Sequence, residues 1–221
     1  MLENILLLKD DIIEALGQTA FMVLTSLLIA IIIGGLFGLL LYTTSNNLFV
    51  KNTVINKVVG ILLNIIRSVP FLILMILLLP LSKLIVGTKI GSEAVIVPLS
   101  IASIAFFSRL AEASFSDVPK GILEASVASG ASKPRIIFKI LIPEALPSLV
   151  KNITVTAISI LGFSAMAGLV GGGGLGDLAY RYGYQRYETD IMIARVVILI
   201  ILVQVIQWIG DIFATALDKK L

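Results

Sequence analysis

The chain of 221 residues contains no cysteine and no histidine. Without thiols there are no disulfides and no thiolate nucleophile. Without imidazole there is no His-ligated metal and no histidine acid–base pair. Charge is scarce as well: Asp, Glu, Lys and Arg make up 14% of the residues, against about a quarter in a soluble domain. From Ala15 to Val50 there is not one charged side chain. What fills the chain instead is apolar, with 58% hydrophobic residues and a mean hydropathy of +1.06. About 20 apolar residues in a helix cross a bilayer core, so the chain reads as an all-α integral membrane protein. The net charge of +3 reflects where the lysines sit rather than a nucleic-acid surface. No nucleic-acid partner is expected. The first residues, Met1–Thr19, lack a basic leader and a small-residue cleavage site, so no removable signal peptide is expected.

Four spans are read from apolar length: Ala20–Tyr42, Val58–Leu81, Leu149–Val170 and Ile191–Phe213. A fifth, Ala94–Ser108, has 15 uncharged residues and reaches span length only if extended back into Ile90–Glu93, giving a span of about 92–108. Charge bias bears on it. Of the 17 Lys and Arg residues, Arg67 and Arg195 fall inside spans. With five spans, the inner segments hold ten of the other 15 (Lys51, Lys57, Arg109, Lys120, Lys133, Arg135, Lys139, Lys151, Lys219, Lys220) and the outer segments five (Lys9, Lys83, Lys89, Arg181, Arg186). That bias favours an external N-terminus and a cytoplasmic C-terminus. Without the third span, the six basic residues of segment 109–151 fall on the outer side, so the bias also supports five spans.

Residues 1–19 form an N-terminal segment in which Leu2, Ile5, Leu6, Ile12, Ile13 and Leu16 recur at helical spacing opposite Lys9, Asp10 and Asp11. That pattern suits a short interfacial helix. Gly34-x-x-x-Gly38 suits close helix packing and is a weak dimer signal. No internal repeat of the secondary-transporter kind is evident.

The segment 109–148, between spans three and four, is long for so small a membrane protein. Its punctuation predicts two short cytoplasmic helices. Pro119 suits a first helical turn and Gly130 a left-handed stop. Ser132 precedes Lys133-Pro134 as a second start, and the helix is then expected to run through "RIIFKIL" to a break at Pro143. Small residues around Gly130 let another protein approach closely.

The stretch "EASVASGASKPRIIFKILIPEALP" (Glu124–Pro147) resembles the EAA loop of ABC-importer permeases. Glu124, Ala125, Gly130, Ile140 and Pro143 match that pattern, and Ser126 stands where the pattern has a second Ala. The resemblance implies a type I ABC importer transmembrane fold over about residues 15–215 and a coupling helix that docks on a separate ATPase. Glu124, Ala125, Ser126, Gly130, Ala131, Ser132, Ile140 and Pro143 are then the coupling residues. Glu124 is expected to meet a basic group on the partner or to support the helix start.

The stretch "AGLVGGGGLGDL" (Ala167–Leu178) contains a formal G-x-G-x-x-G in Gly171, Gly173 and Gly176. A phosphate loop needs a strand before it, a helix after it and a nucleotide supply. Here the preceding residues are the outer half of span four. The motif is read as a false positive whose glycines let the chain turn tightly. The longer stretch through "AYRYGYQRYETDIM" resembles methionine-uptake permeases, as does "IIRSVPFLIL" (Ile65–Leu74). The glycine core alone is shared with permeases for other solutes such as glycine betaine. The resemblance implies a homodimer, two cytoplasmic ATP-binding subunits and an extracytoplasmic substrate-binding protein, in the cytoplasmic membrane of a prokaryote.

Few polar residues fall within spans. Arg67, about ten residues into span two, is a functional candidate, a snorkelling residue or half of a structural pair. Arg195 is expected to reach the outer interface. Asn64, Gln204 and Gln207 read as interhelical glue. Met166, two residues past Ser164, is either a pore plug or a packing residue. No Asp or Glu lies in a span core, so intramembrane enzymes and carboxylate-driven secondary transporters lack necessary parts. No catalytic residue, metal or cofactor is expected in the chain.

Overall fold

The computed structural model describes residues 9–217, and no strand occurs among them. Helix α1 (Lys9–Ile29) continues through a π-helical turn (Ala30–Gly34) into α2 (Gly35–Ser45). Together they form a rod whose apolar stretch, Asp10–Ser45, covers 36 residues. From Lys9 onward the helix is continuous with span one, with no joint that would lay it flat on the membrane. Leu2, Ile5 and Leu6 of the expected interfacial helix lie outside the described residues, as do Lys219 and Lys220.

Span two departs from the sequence reading. Instead of one helix over Val58–Leu81, α3 (Thr53–Ser68) and α4 (Phe71–Val86) meet at 109°. The cause is local: Pro70 has no N–H to donate and disfavours helical geometry in the residue before it. Val69 is extended accordingly, at φ −85° and ψ 128°. Both arms are apolar, so hydropathy alone could not detect the bend.

Span three is helix α5 (Ser92–Ser116), 25 residues long. Its least lipophilic character has a structural reason: 56% of its central window is buried, against 6% in the last helix, so it meets protein rather than lipid. Gly34 and Gly38 pack against it. A Cβ at Gly38 would stand 2.6 Å from Ala111 Cβ and 2.7 Å from the Ser108 carbonyl. The Gly34-x-x-x-Gly38 pair therefore serves contact within one chain, not a dimer.

After α5 come α6 (Lys120–Ala128) and α7 (Lys133–Ile136), a π-turn (Ile137–Leu141) and α8 (Ile142–Ala167). The expected break at Pro143 does not occur. Lys133–Val170 is one 38-residue apolar helical run. The π-turn directly before Pro143 re-registers the backbone where a proline cannot donate, and Pro143 then sits in the first turn of α8, where the missing N–H is tolerated. Segment 109–148 is accordingly helical almost throughout. A 3₁₀ turn (Gly168–Val170) leads to α9 (Gly174–Leu178), a π-turn (Ala179–Gln185) and α10 (Thr189–Leu217). Among the described residues, four helices are long and apolar enough to cross a membrane, five with the bent pair counted as one span.

Among the described residues, the two larger of four apolar clusters hold most of the helices together. The inner one joins Tyr42, Phe49, Phe115, Leu123, Ile136 and Leu141. The other joins Met22, Met75, Leu99, Ile160 and Leu161.

Candidate functional site

Helix α6 and the turn after it form a knob on the inner end of the bundle. Leu123 is fully buried and anchors α6, while Glu124, Ala125, Val127, Ala128 and Ser129 face outward. The helix ends in a Schellman turn: the Ala131 N–H donates to the Ser126 carbonyl (3.1 Å) and the Gly130 N–H to the Val127 carbonyl (2.9 Å). Gly130 takes φ +78°, and a Cβ there would meet nothing within 4 Å. The demand for glycine is thus conformational within this chain, and open space surrounds it. Glu124, the fifth residue of α6, lies beyond the first turn, so it does not support the helix start. Its side chain is exposed.

The knob is braced from below. Ile136 is buried, and the Lys133 ammonium donates to the Phe49 carbonyl at 2.9 Å, fastening the second helix start to the α2–α3 connection. Ser132 is exposed, Ala131 half-buried, and Ile140 half-buried within the π-turn. Pro143 lines a groove of about 270 Å³ between the knob and α8, with Asp117, Pro119, Ile122 and Glu144 around it. Of the eight residues proposed for coupling, Glu124 to Ser132 share the knob. Ile140 and Pro143 belong to the helical run that follows it.

The outer end is organised by the glycines. Gly171, Gly173 and Gly174 all take positive φ (+77°, +73° and +81°). A Cβ on Gly168 would collide with the backbone of Asp177, and one on Gly176 with that of Ala165, so the turn folds flat onto the end of α8. The amides that a pyrophosphate would need are already occupied. The Gly174 N–H donates to Gln18 Oε1 (2.7 Å) and the Leu175 N–H to Thr19 Oγ1 (3.0 Å). Side chains of the first helix thereby cap α9. Sequence reasoning missed this role. Its only signal is a pair of adjacent hydrogen-bonding side chains opening an otherwise apolar span.

The tyrosines of the outer hairpin, the stretch 168–188 from the glycine turn to the start of α10, are also engaged. Tyr182 donates to Asp11 Oδ2 (3.2 Å), Tyr180 stacks on Tyr184 at 5.4 Å, and Arg181 pairs with Asp177 at 2.6 Å. Arg195 does not reach the outer interface: it is fully buried, its guanidinium 5.0 Å from the Tyr182 ring centre. The hairpin folds over this part of α10 and supplies an aromatic face, so the side chain has no need to extend to water.

The candidate pore residues Ser164, Met166 and Arg67 are not brought together. Ser164 is buried and donates to the Leu161 carbonyl at 2.8 Å, whereas Met166 is 45% exposed on the same helix. Arg67 is exposed in the last turn of α3, directly before the bend. The interhelical pairing in that region belongs to Arg109, which donates to the Gly60 carbonyl (2.9 Å) and Asn64 Oδ1 (3.0 Å) and pairs with Glu112 (2.8 Å). Asn64 is thus interhelical glue. Gln207 instead donates along its own helix to Asp211, and Gln204 is exposed.

Residues 30–221 match the family described as binding-protein-dependent transport system inner membrane component. The chain is 45% identical over 212 residues to the probable D-methionine transport system permease protein MetI of Vibrio cholerae, covering 96% of this chain and 94% of that protein. It is 45% identical over 181 residues to the methionine import system permease protein MetP of Bacillus subtilis, covering 82% of each. Among solved structures, a chain of the MetNI methionine ABC transporter in an inward-facing conformation superimposes with a TM-score of 0.93 at 39% identity, covering 96% and 98% of the two chains. A chain of an amino acid ABC transporter crystallised with histidines has a TM-score of 0.80 at 19% identity, a likeness of fold.

Proposed function

The chain belongs to the family of binding-protein-dependent transport system inner membrane components, and on that premise we propose that it is the permease subunit of an ATP-driven methionine importer. It is a multi-pass protein of the bacterial inner membrane with the type I ABC importer fold. Relatives at 45% identity import methionine or D-methionine by name, and the match to the Vibrio cholerae protein runs nearly end to end. ATP hydrolysis resides in a separate subunit, and two permease chains assemble around a twofold axis with two such ATPases inside and a binding protein outside.

The knob is the observation that carries this reading. It presents small side chains and one carboxylate outward, and it is tied through Leu123, Ile136 and the Lys133–Phe49 bond to the bundle. In the proposed cycle, ATP-driven closure of the two ATPases brings the two knobs together. The helices around the axis then open outward, releasing solute from the binding protein into the pathway. The chain itself makes and breaks no covalent bond; it supplies two alternative access states and the lever between them.

Co-purification tests the reading. A tagged chain is expected to retain an ATPase in mild detergent. The assembly in proteoliposomes, with its binding protein and internal ATP, is expected to accumulate methionine. Uptake that proceeds without ATP would eliminate the importer reading, and uptake of glycine betaine in place of methionine would reassign the solute alone.

A further inference from the structure

An apolar groove of about 350 Å³ runs between the first helix, α5 and the Lys133–Val170 run in the inner half of the bundle. Ile32 and Leu36 form one wall, Leu146 and Ile153 the other, and the rings of Phe107 and Phe115 the floor. Gly35 opens it: a Cβ there would stand 3.8 Å from Phe107 Cε1, so any larger residue would narrow the cleft. Phe138, 65% exposed, stands at its inner end. A cleft lined by carbon gives water no partners, and at hydrocarbon depth it is filled by lipid or by protein.

Charge at the inner mouth decides between them. Arg135 lies three residues before Phe138 and Lys139 directly after it; both are exposed, and neither forms an ion pair among the described residues. The opposite wall offers no counter-charge, since no Asp or Glu occurs from Ala15 to Ser92. A second copy laying its residues 15–92 here would also bring no carboxylate. Glu144, the nearest acid along the helix, lines the separate groove beside the knob. A basic pair above an apolar cleft at the cytoplasmic interface has the chemistry that recognises an anionic lipid head group.

We propose that this groove binds one acyl chain of an anionic phospholipid of the inner leaflet, with its phosphate held by Arg135 and Lys139. The bound chain would lie against the helix that runs from the knob into α8, so the site sits on the lever itself. The inference rests on the charge-derived orientation of the chain and not on the solute.

The chain has no native cysteine, which allows a direct test. L36C, labelled with bimane and reconstituted as the full assembly in nanodiscs, is titrated with brominated phosphatidylglycerol or brominated phosphatidylcholine. Quenching is expected with both, with a preference for phosphatidylglycerol of roughly tenfold or more, the size that two basic side chains at an anionic surface supply. Adding R135Q and K139Q is expected to remove the preference while leaving quenching by phosphatidylcholine in place. Equal quenching by the two lipids in the parent protein would mean bulk acyl chains without head-group selection and overturns the proposal. Absence of quenching by either lipid would mean that protein covers the groove, which overturns it equally. A preference that survives R135Q/K139Q removes those residues from the site and refutes the assignment. An orientation opposite to the one inferred would show separately, as labelling of a knob cysteine from outside.

Discussion

Replacement of Gly130 by Val separates the knob's shape from its partner. Gly130 sits at φ +78° as the stop of a Schellman turn, with two backbone bonds closing across it. A non-glycine residue in that region loses about 1–2 kcal/mol, and a β-branched one fits it least well. No atom of the chain lies within 4 Å of an added Cβ, so packing adds nothing to the penalty. For a domain of this size, about 1 kcal/mol corresponds to roughly 2–4 °C in melting temperature. Gly130→Val is therefore expected to insert and dimerise with a melting temperature only a few degrees low. Locally the effect is larger. A nine-residue helix has little stability of its own, and about 1–2 kcal/mol shifts its population of the correct turn by a factor of roughly 5–30. ATPase pull-down and methionine uptake are then measured at matched permease levels. Gly130→Val is expected to abolish uptake and weaken ATPase association. Gly130→Asn, which tolerates left-handed geometry, is expected to recover part of both if backbone shape is the limiting factor. Gly17→Val, at another open position far from the knob, serves as the control and should leave association unchanged. A full complement of ATPase with normal uptake in Gly130→Val would refute the assignment of this knob as the coupling element.

Glu124→Ala should give a milder form of the same defect, read in the same pull-down, because it removes one exposed charge and no fold contact. Single cysteines at Ser129 and Tyr182 are expected to label from opposite sides of the membrane with an impermeant thiol reagent; labelling of both from outside in intact cells would exclude the five-span orientation. Met166→Ala is expected to raise basal ATP hydrolysis or solute leak if the exposed thioether plugs the axis between protomers, and unchanged hydrolysis and transport would return Met166 to packing. Gln18→Leu strips the acceptor from the Gly174 amide, a loss of about 1–3 kcal/mol if the amide stays dry; thermal stability of the purified chain should fall, and an unchanged melting curve would show that water replaces the side chain.

How much of this was legible in the sequence depends on the kind of signal. Pro119 and Gly130 act on their own backbone, so the first cytoplasmic helix lies where they placed it. Pro143 acts through its neighbours as well. The π-turn at Ile137–Leu141 absorbs the defect, and no residue type announces a π-turn. The bend at Val69–Pro70 was written in the sequence as X-Pro, but uninterrupted hydropathy outweighed it. Span three looked weak because hydropathy measures exposure to lipid, and α5 is the helix that the others surround. Arg195 departs from its expected place at the outer interface for a related reason. Its burial comes from a hairpin folding over it, and its neighbour Tyr182 is 13 positions away in the chain.

The same distinction explains how a small permease can link its two faces. The knob and the outer glycine hairpin never touch, yet the helical run Lys133–Val170 starts beside one and ends at the other. At 1.5 Å per residue its 38 residues span about 57 Å. Its inner end is pinned to the α2–α3 connection by Lys133, and its outer end is clasped by the hairpin through glycines that admit no side chain. Gln18 and Thr19 hold that hairpin to the first helix. A tilt imposed at the knob must therefore either bend the run or move the hairpin with it. The irregular points of the run, the π-turn, Pro143 and Pro147, all fall within its inner half, and a bend would concentrate there. Beyond Pro147 the helix has no break until Ala167. If the knob is the coupling element proposed above, a displacement that passes Pro147 would be carried to the outer hairpin, and the irregular inner part of the run would set how much of it arrives there.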